Sequence, residues 1–473
     1  MLFALWPSIL ALVLSFLIGN AALALGAGAL LGAILVNLDK INELPAYLLD
    51  GFVLQVFASP WKLGAILLTF QLGALSSLLD ANGNLDRIFR SLDNRSNEPD
   101  RKRSLTALCT MGLICFYDGL ANSILLGKIS QSLLRRFKVS RELLAYIVDS
   151  TSSAVACLVI FSTWTAYQLS LLQDNMTESM GSPLTLLVRS IPYNVYSWLS
   201  LLMLFFVVRK SFFIGPMKRF ERDAPTPKVD VRADHNVALQ NISLLKSATP
   251  LGILFFSFLA IIAIKATGGE SSFQESFIKA LASNDVPWIL NISAALSFLS
   301  ALILRESKLS LGDALRNARE GLVAIARPIL ILLGAWALSK SIGDLGLAKH
   351  LSQLFDSSQV QSSWIPLMSF AVACMVSFFT GTSWGTLALM MPLALPFLSH
   401  FPEIQNSLAP AVVGAIFGGA VFGDHCSPIS DTTVVSAFAT GSTVKNHARS
   451  QMPYAILVAL IALIGVYLPL ALF

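Results

Sequence analysis

The feature that most constrains this chain is a repeated one. Apolar runs long enough to cross a hydrocarbon core, which takes about 17–25 residues, follow one another along its whole length. They fall near 3–19, 21–37, 61–80, 104–126, 143–172, 182–208, 248–265, 287–304, 322–340, 364–398, 408–440 and 451–472. In hydrocarbon every backbone N–H and C=O must be satisfied within the protein, so only helices or a closed barrel can span. A barrel alternates apolar and polar residues over about ten positions, and these runs are continuous. Charged residues make up 13% of the 473, about half the share in a soluble chain. The expectation is an all-α polytopic membrane protein, which excludes a soluble enzyme, a disordered chain and a secreted disulfide scaffold. The start, MLFALWPSIL, has no basic n-region and reads as the first span rather than a cleaved signal peptide.

The net charge of +5 then reports topology rather than nucleic-acid binding. Bases crowd 85–103, 127–142, 209–247, 305–321 and 441–450, whereas 173–181 and 399–407 have none. The positive-inside rule makes the basic loops cytoplasmic. The run from 104 has a basic flank at both ends, which a simple span cannot have. It is expected to be a re-entrant hairpin, residues 104–134, turning at Tyr117-Asp118-Gly119. The 364–398 run is too long for one span and has base-poor flanks. It is expected to be a second hairpin from the opposite face, turning at Thr380-Gly381-Thr382-Ser383.

With these two hairpins both termini fall outside. The order becomes three spans, hairpin, two spans, given twice in opposite orientation: two inverted repeats with broken helices at the midplane. The expected division is 1–208 for the first repeat, 209–247 for a cytoplasmic linker and 248–473 for the second. Ala145…Asp149…Ser152 and Ala420…Asp424…Ser427 share the pattern A-x-x-x-D-x-x-S, one in each half.

Four polar clusters interrupt the apolar runs, and they hold Asp118, Asp149, Asp424 and Asp431. A carboxylate at the bilayer centre costs about 2.5–3.5 kcal/mol on insertion scales, so such residues normally mark an ion or substrate path. Gly and Pro beside Ser and Thr suit unwound backbone, whose carbonyls and hydroxyls can coordinate a small hard cation. Sodium on these four aspartates is the expected metal, with Asn122, Thr151, Thr382, Ser383, Ser427 and Thr432 supplying neutral oxygens. His425 reads equally as a proton shuttle or a packing residue. Ser162, Thr163 and Ser436 read as bonding their own helix or a neighbouring one, and Lys128 as snorkelling at the cytoplasmic edge. Five cysteines at irregular spacing suggest neither disulfides nor zinc. No Walker-type loop is present. No cofactor is expected beyond transported sodium and protons.

GDHCSPISDTT at 423–433 resembles the NhaC family of sodium/proton antiporters, as do TGTSWGT at 380–386 with Pro392, SRELLAYIVDST at 140–151 and STWTAY at 162–167. At the first hairpin Phe116, Asp118, Ala121 and Asn122 match the family's F-x-D-D-x-A-N, with Gly119 where a second Asp is common. The resemblance implies a secondary active transporter of the inner membrane rather than an enzyme. Its partners would be a monovalent cation, protons and membrane lipids, with no nucleic acid; a homodimer stays open. A second reading is a cation-coupled carrier of a small organic solute, an amino acid or a carboxylic acid. The hairpin tips would grip its carboxylate, and Tyr117, Trp164 and Trp384 would line the pocket.

Overall fold

The computed structural model describes residues 5–18, 20–84, 87–89, 100–226, 244–268, 272–281, 283, 285–306, 309–324, 326–346, 361–398, 401 and 405–472. Most of the basic 85–103 segment, the 227–243 part of the expected linker and the side chain of Lys128 lie outside the described residues. Among the described residues every regular element is helical. Seven helices are long and apolar enough to cross a membrane, or nine when each of two bent pairs counts as one span.

Local chemistry sets the helix starts. Asn20, Ser140, Ser162 and Ser182 each accept a hydrogen bond from the N–H three residues on, at 3.3, 3.1, 3.1 and 3.2 Å. These are N-caps, which satisfy donors that the first turn leaves free. Pro183 then occupies the first helical position, where its missing N–H costs nothing.

The 143–172 and 408–440 runs are broken at their polar clusters. The 143–172 run forms three helices, Arg141–Ser150, Ser153–Leu158 and Thr163–Asn175. The 408–440 run forms Gln405–Cys426 and Asp431–Thr440. Pro428 explains the second break, because the residue before a proline is pushed out of helical geometry. At the first break the Thr151 hydroxyl bonds the Ile147 and Val148 carbonyls, and Ser152 has a non-helical ψ of −84°.

Around the first expected turn lie the helices Arg101–Ile114 and Gly119–Arg136. Their outer ends meet: Arg101 Nε donates to the Lys138 carbonyl at 3.0 Å. The Arg101 guanidinium also pairs with Glu221. Glu221 Oε1 accepts from both the N–H and the hydroxyl of Ser140 at 2.7 Å. Glu221 sits on the helix Gly215–Arg222, within the segment read from sequence as a linker. That short helix clamps the open end of the helix pair.

The second pair, Ile365–Thr380 and Ser383–Leu398, turns at Gly381 with φ +64°. A Cβ there would lie 2.5 Å from Ile429 Cγ1 and 2.9 Å from Ile429 backbone atoms. Both the left-handed geometry and the close approach therefore require glycine. Packing is crosswise. Gln131 of the first pair donates to Ala439 O at 2.9 Å, and a Cβ on Gly127 would meet Ala439 Cβ at 2.1 Å. In the second pair, Trp384 stacks on Tyr167 with centroids 4.3 Å apart and accepts the Tyr167 hydroxyl at its carbonyl, 2.6 Å.

The final run departs from the expected 451–472. Its helix begins at Val444, capped by Thr443, so His447 and Ser450 are buried helix residues rather than parts of a loop, and Gln451 is buried beside them.

Candidate functional site

Asp149 and Asp424 occupy matching positions. Each lies in the last turn of a helix that ends at a break, with a serine three residues on. Both side chains are fully buried. The hydroxyls of those serines, Ser152 and Ser427, are buried with no hydrogen-bond partner among the described residues. A helix end also leaves its last carbonyls without helical partners. Each break therefore gathers oxygen atoms around a carboxylate.

The surroundings of the two aspartates differ. Asp424 Oδ1 accepts from Ser430 Oγ at 3.3 Å, whereas Oδ2 has no hydrogen-bond partner among the described residues. Ser383, at the tip of the second helix pair, and Ser153, at the first break, face this carboxylate. Thr433 donates to the Asp424 carbonyl at 2.6 Å, and Thr432 Oγ1 lies 3.1 Å from Ser430 Oγ. An unpaired buried acceptor costs about 1–3 kcal/mol, more when charged. An unpaired carboxylate oxygen among hydroxyls can be satisfied by a proton or by a hard cation.

Asp149 is more fully engaged. Its Oδ2 accepts from Gln451 Nε2 at 2.8 Å and lies 3.5 Å from His447 Nε2. Ser436 Oγ lies 3.3 Å from Asp149 Oδ1 and 3.2 Å from Ser123 Oγ. His447 and Gln451 escaped the sequence reading. The available signal was their spacing of four residues, which puts them on one helix face.

The first tip is tied to the other break residues. Thr163 donates to Asp118 Oδ2 at 2.8 Å, and its N–H donates to Tyr117 O at 2.9 Å. Asn122 Nδ2 donates to Thr151 O at 2.7 Å and Gly112 O at 3.1 Å, while Asn122 Oδ1 is unpaired among the described residues. Ser162 does serve its own neighbourhood, as a cap. Thr163 and Ser436 bond neighbouring elements instead, reaching Asp118 in the first turn and Asp149 at the end of its helix.

The remaining candidates divide by role. The Thr151 hydroxyl bonds its own helix at Ile147 O, 2.9 Å. Thr382 Oγ1 accepts from Gly385 N at 3.2 Å and caps the second arm. Asp431 is exposed and accepts from the neighbouring Thr432 N–H at 2.9 Å. His425 Nδ1 pairs with Tyr196 Oη at 3.1 Å, and its Nε2 is unpaired among the described residues. The structure thus brings Ser383 and Thr432 to Asp424, leaves the Ser427 hydroxyl unpaired among the described residues, and holds Asp118 and Asp149 in separate networks. Among the described residues no three His, Cys, Asp or Glu side chains are close enough to share a metal ion.

The model of the Na+/H+ antiporter family matches residues 155–468. An uncharacterized protein of Haemophilus influenzae is 28% identical over 97% of this chain and 89% of its own length. The malate-2H(+)/Na(+)-lactate antiporter of Bacillus subtilis is 35% identical over 18% of each chain. Among solved structures, Neisseria gonorrhoeae MtrF, described with a class of antimetabolite efflux pumps, aligns with TM-score 0.59 at 14% identity. That alignment covers 91% of this chain and 84% of MtrF, and it is a likeness of fold.

Proposed function

Because the chain belongs to the Na+/H+ antiporter family, and so is an integral membrane secondary transporter, we propose that it exchanges sodium for protons at the Asp424 break. The observation that carries this reading is Asp424 Oδ2, fully buried and without a hydrogen-bond partner among the described residues. A deprotonated Asp424 binds sodium with help from Ser153, Ser383 and Ser427. A protonated one cannot, so the two ions compete for one carboxylate and exchange needs no ATP. Asp149, supported by Gln451 and His447, is a second coupling carboxylate. Asp118 and Asp431 complete the acidic path, with Asn122, Thr151, Thr382, Thr432 and His425 shaping it.

Alternating access is carried by the two hairpins moving against the remaining helices, as in inverted-repeat carriers. Halves 1–208 and 248–473 are the repeats, in a cytoplasmic membrane with both termini outside. Sodium added to proteoliposomes holding a pH gradient should collapse that gradient with no other solute present. Asp424→Asn should abolish the response; full activity in that variant would defeat the assignment. A second reading, coupled movement of an organic solute, is favoured by a cavity elsewhere in the fold.

A further inference from the structure

A cavity of about 320 Å³ lies among the helices Pro60–Ala81, Thr163–Asn175, Ala326–Asp344 and Ser383–Leu398. None of the residues at either break lines it. An ion pair lines it: Lys62 Nζ to Asp174 Oδ2, 3.1 Å, with side chains 8% and 14% exposed. Lys62 Nζ also sits 5.5 Å from the centre of the Trp336 ring.

Taking an ammonium and a carboxylate this far out of water costs several kcal/mol per ion, offset only when their remaining hydrogen bonds are made. Here they are not. An ammonium has three donors, yet among the described residues Lys62 Nζ meets one acceptor, on Asp174. Across the cavity Lys340 pairs with Asp344 at 3.0 Å, and Asp344 Oδ2 also accepts from Tyr47 at 2.6 Å. The second carboxylate is therefore better satisfied than the buried lysine.

We infer that this cavity binds the carboxylate group of a small organic solute, which supplies the missing acceptors of Lys62. A metal cation fits poorly, since Lys62 and Lys340 both face the space and each acid is already paired. The volume lies near the low end for small-molecule pockets, about 300–1,000 Å³, so the solute is an acid of a few carbons. Pro392 and Pro396 line the same cavity from the second helix pair. Lacking N–H groups, they free the carbonyls one turn earlier, and they put the ligand in contact with the element proposed to move. The inference goes beyond sodium–proton exchange and does not depend on Asp424.

The test is equilibrium binding to purified full-length protein, with radiolabelled L-malate, L-lactate and L-alanine as probes and their amides as competitors. At least one acid should bind, and its amide should compete about tenfold or more weakly. The paired substitution Lys62→Met with Asp174→Asn leaves no lone buried charge, and should weaken that binding by about tenfold or more. Asp424→Asn should retain the binding while losing sodium-driven pH changes, which separates this site from the ion site. L-Malate and L-alanine distinguish a plain acid from an amino acid. The inference is overturned if none of the three acids binds, if amides compete as well as acids, or if the paired variant binds with unchanged affinity. The amide comparison uses the unaltered protein and stands whether or not the variant folds.

Discussion

Gln451 donates a 2.8 Å hydrogen bond to Asp149 across 302 positions of chain. The bond ties the last long helix to the end of a broken one, and both partners are buried. Gln451→Leu removes the donor and leaves the carboxylate with weaker partners, Ser436 at 3.3 Å and His447 at 3.5 Å. Losing one partner of a buried charged hydrogen bond costs about 1–3 kcal/mol. Thermal unfolding in detergent should show that loss. In Asp149→Asn, an amide replaces the charge, and the same Gln451→Leu change should then cost less; equal costs would show that Gln451 does not serve the carboxylate.

The oxygen atoms at the breaks are not interchangeable. Ser383 faces Asp424, and the Ser427 hydroxyl is unpaired among the described residues, whereas Thr151 spends its hydroxyl on Ile147 O. Ser383→Ala and Ser427→Ala should each raise the sodium concentration for half-maximal exchange by about three- to tenfold. Thr151→Val, close in shape, should change it by less than about twofold. Sodium titrations in proteoliposomes decide the order; a larger effect at Thr151 would remove Asp424 from the centre of the site.

What could be read from the sequence, and what could not, follows the range of each signal. The break after Cys426 was legible because Pro428 acts on its own neighbour. The turn at Gly381 was legible because glycine, threonine and serine interrupt an apolar run. Asp149 and Asp424 stood out because acids are rare at membrane depth. His447 was hidden because Lys445 and Arg449 beside it made the segment look like a loop. The Lys62–Asp174 pair was hidden because its members lie on separate helices, one at the start of its helix and one near an end. For Thr163 and Ser436 the residue type gave a bond to their own helix or a neighbour, the common use of a hydroxyl in a span, but not the partner. Only packing shows the carboxylates they reach.

Two glycines at the hairpin tips should respond in opposite ways. Gly381 has φ +64°, and a Cβ would press on Ile429. Gly381→Ala therefore combines a left-handed penalty of about 1–2 kcal/mol with a steric clash, and should lower both folded yield and transport. At Gly119 an added Cβ meets nothing nearer than Trp164 Nε1 at 3.6 Å. Gly119→Ala should keep yield and exchange rate. Size-exclusion profiles with sodium-driven pH traces check the pair.

The Glu221 clamp turns orientation into a measurement. Arg101, Ser140 and Glu221 hold the open end of the first helix pair together, so residues flanking it face one aqueous side. Under the proposed topology that side is the cytoplasm. Lys102→Cys and Lys218→Cys, both at exposed positions, should be labelled by a membrane-impermeant thiol reagent in inside-out vesicles and protected in right-side-out ones. Glu178→Cys, on the base-free 173–181 segment, should show the reverse. The five native cysteines are buried or half-buried, and their background is measured on the unsubstituted protein. Labelling of Lys102→Cys and Lys218→Cys from opposite sides would break the hairpin, and labelling of both from outside would invert the topology. Glu221→Ala leaves Arg101 and Ser140 without their shared acceptor. It should destabilise the fold by about 1–3 kcal/mol and make residue 102 react faster, with its side of labelling unchanged.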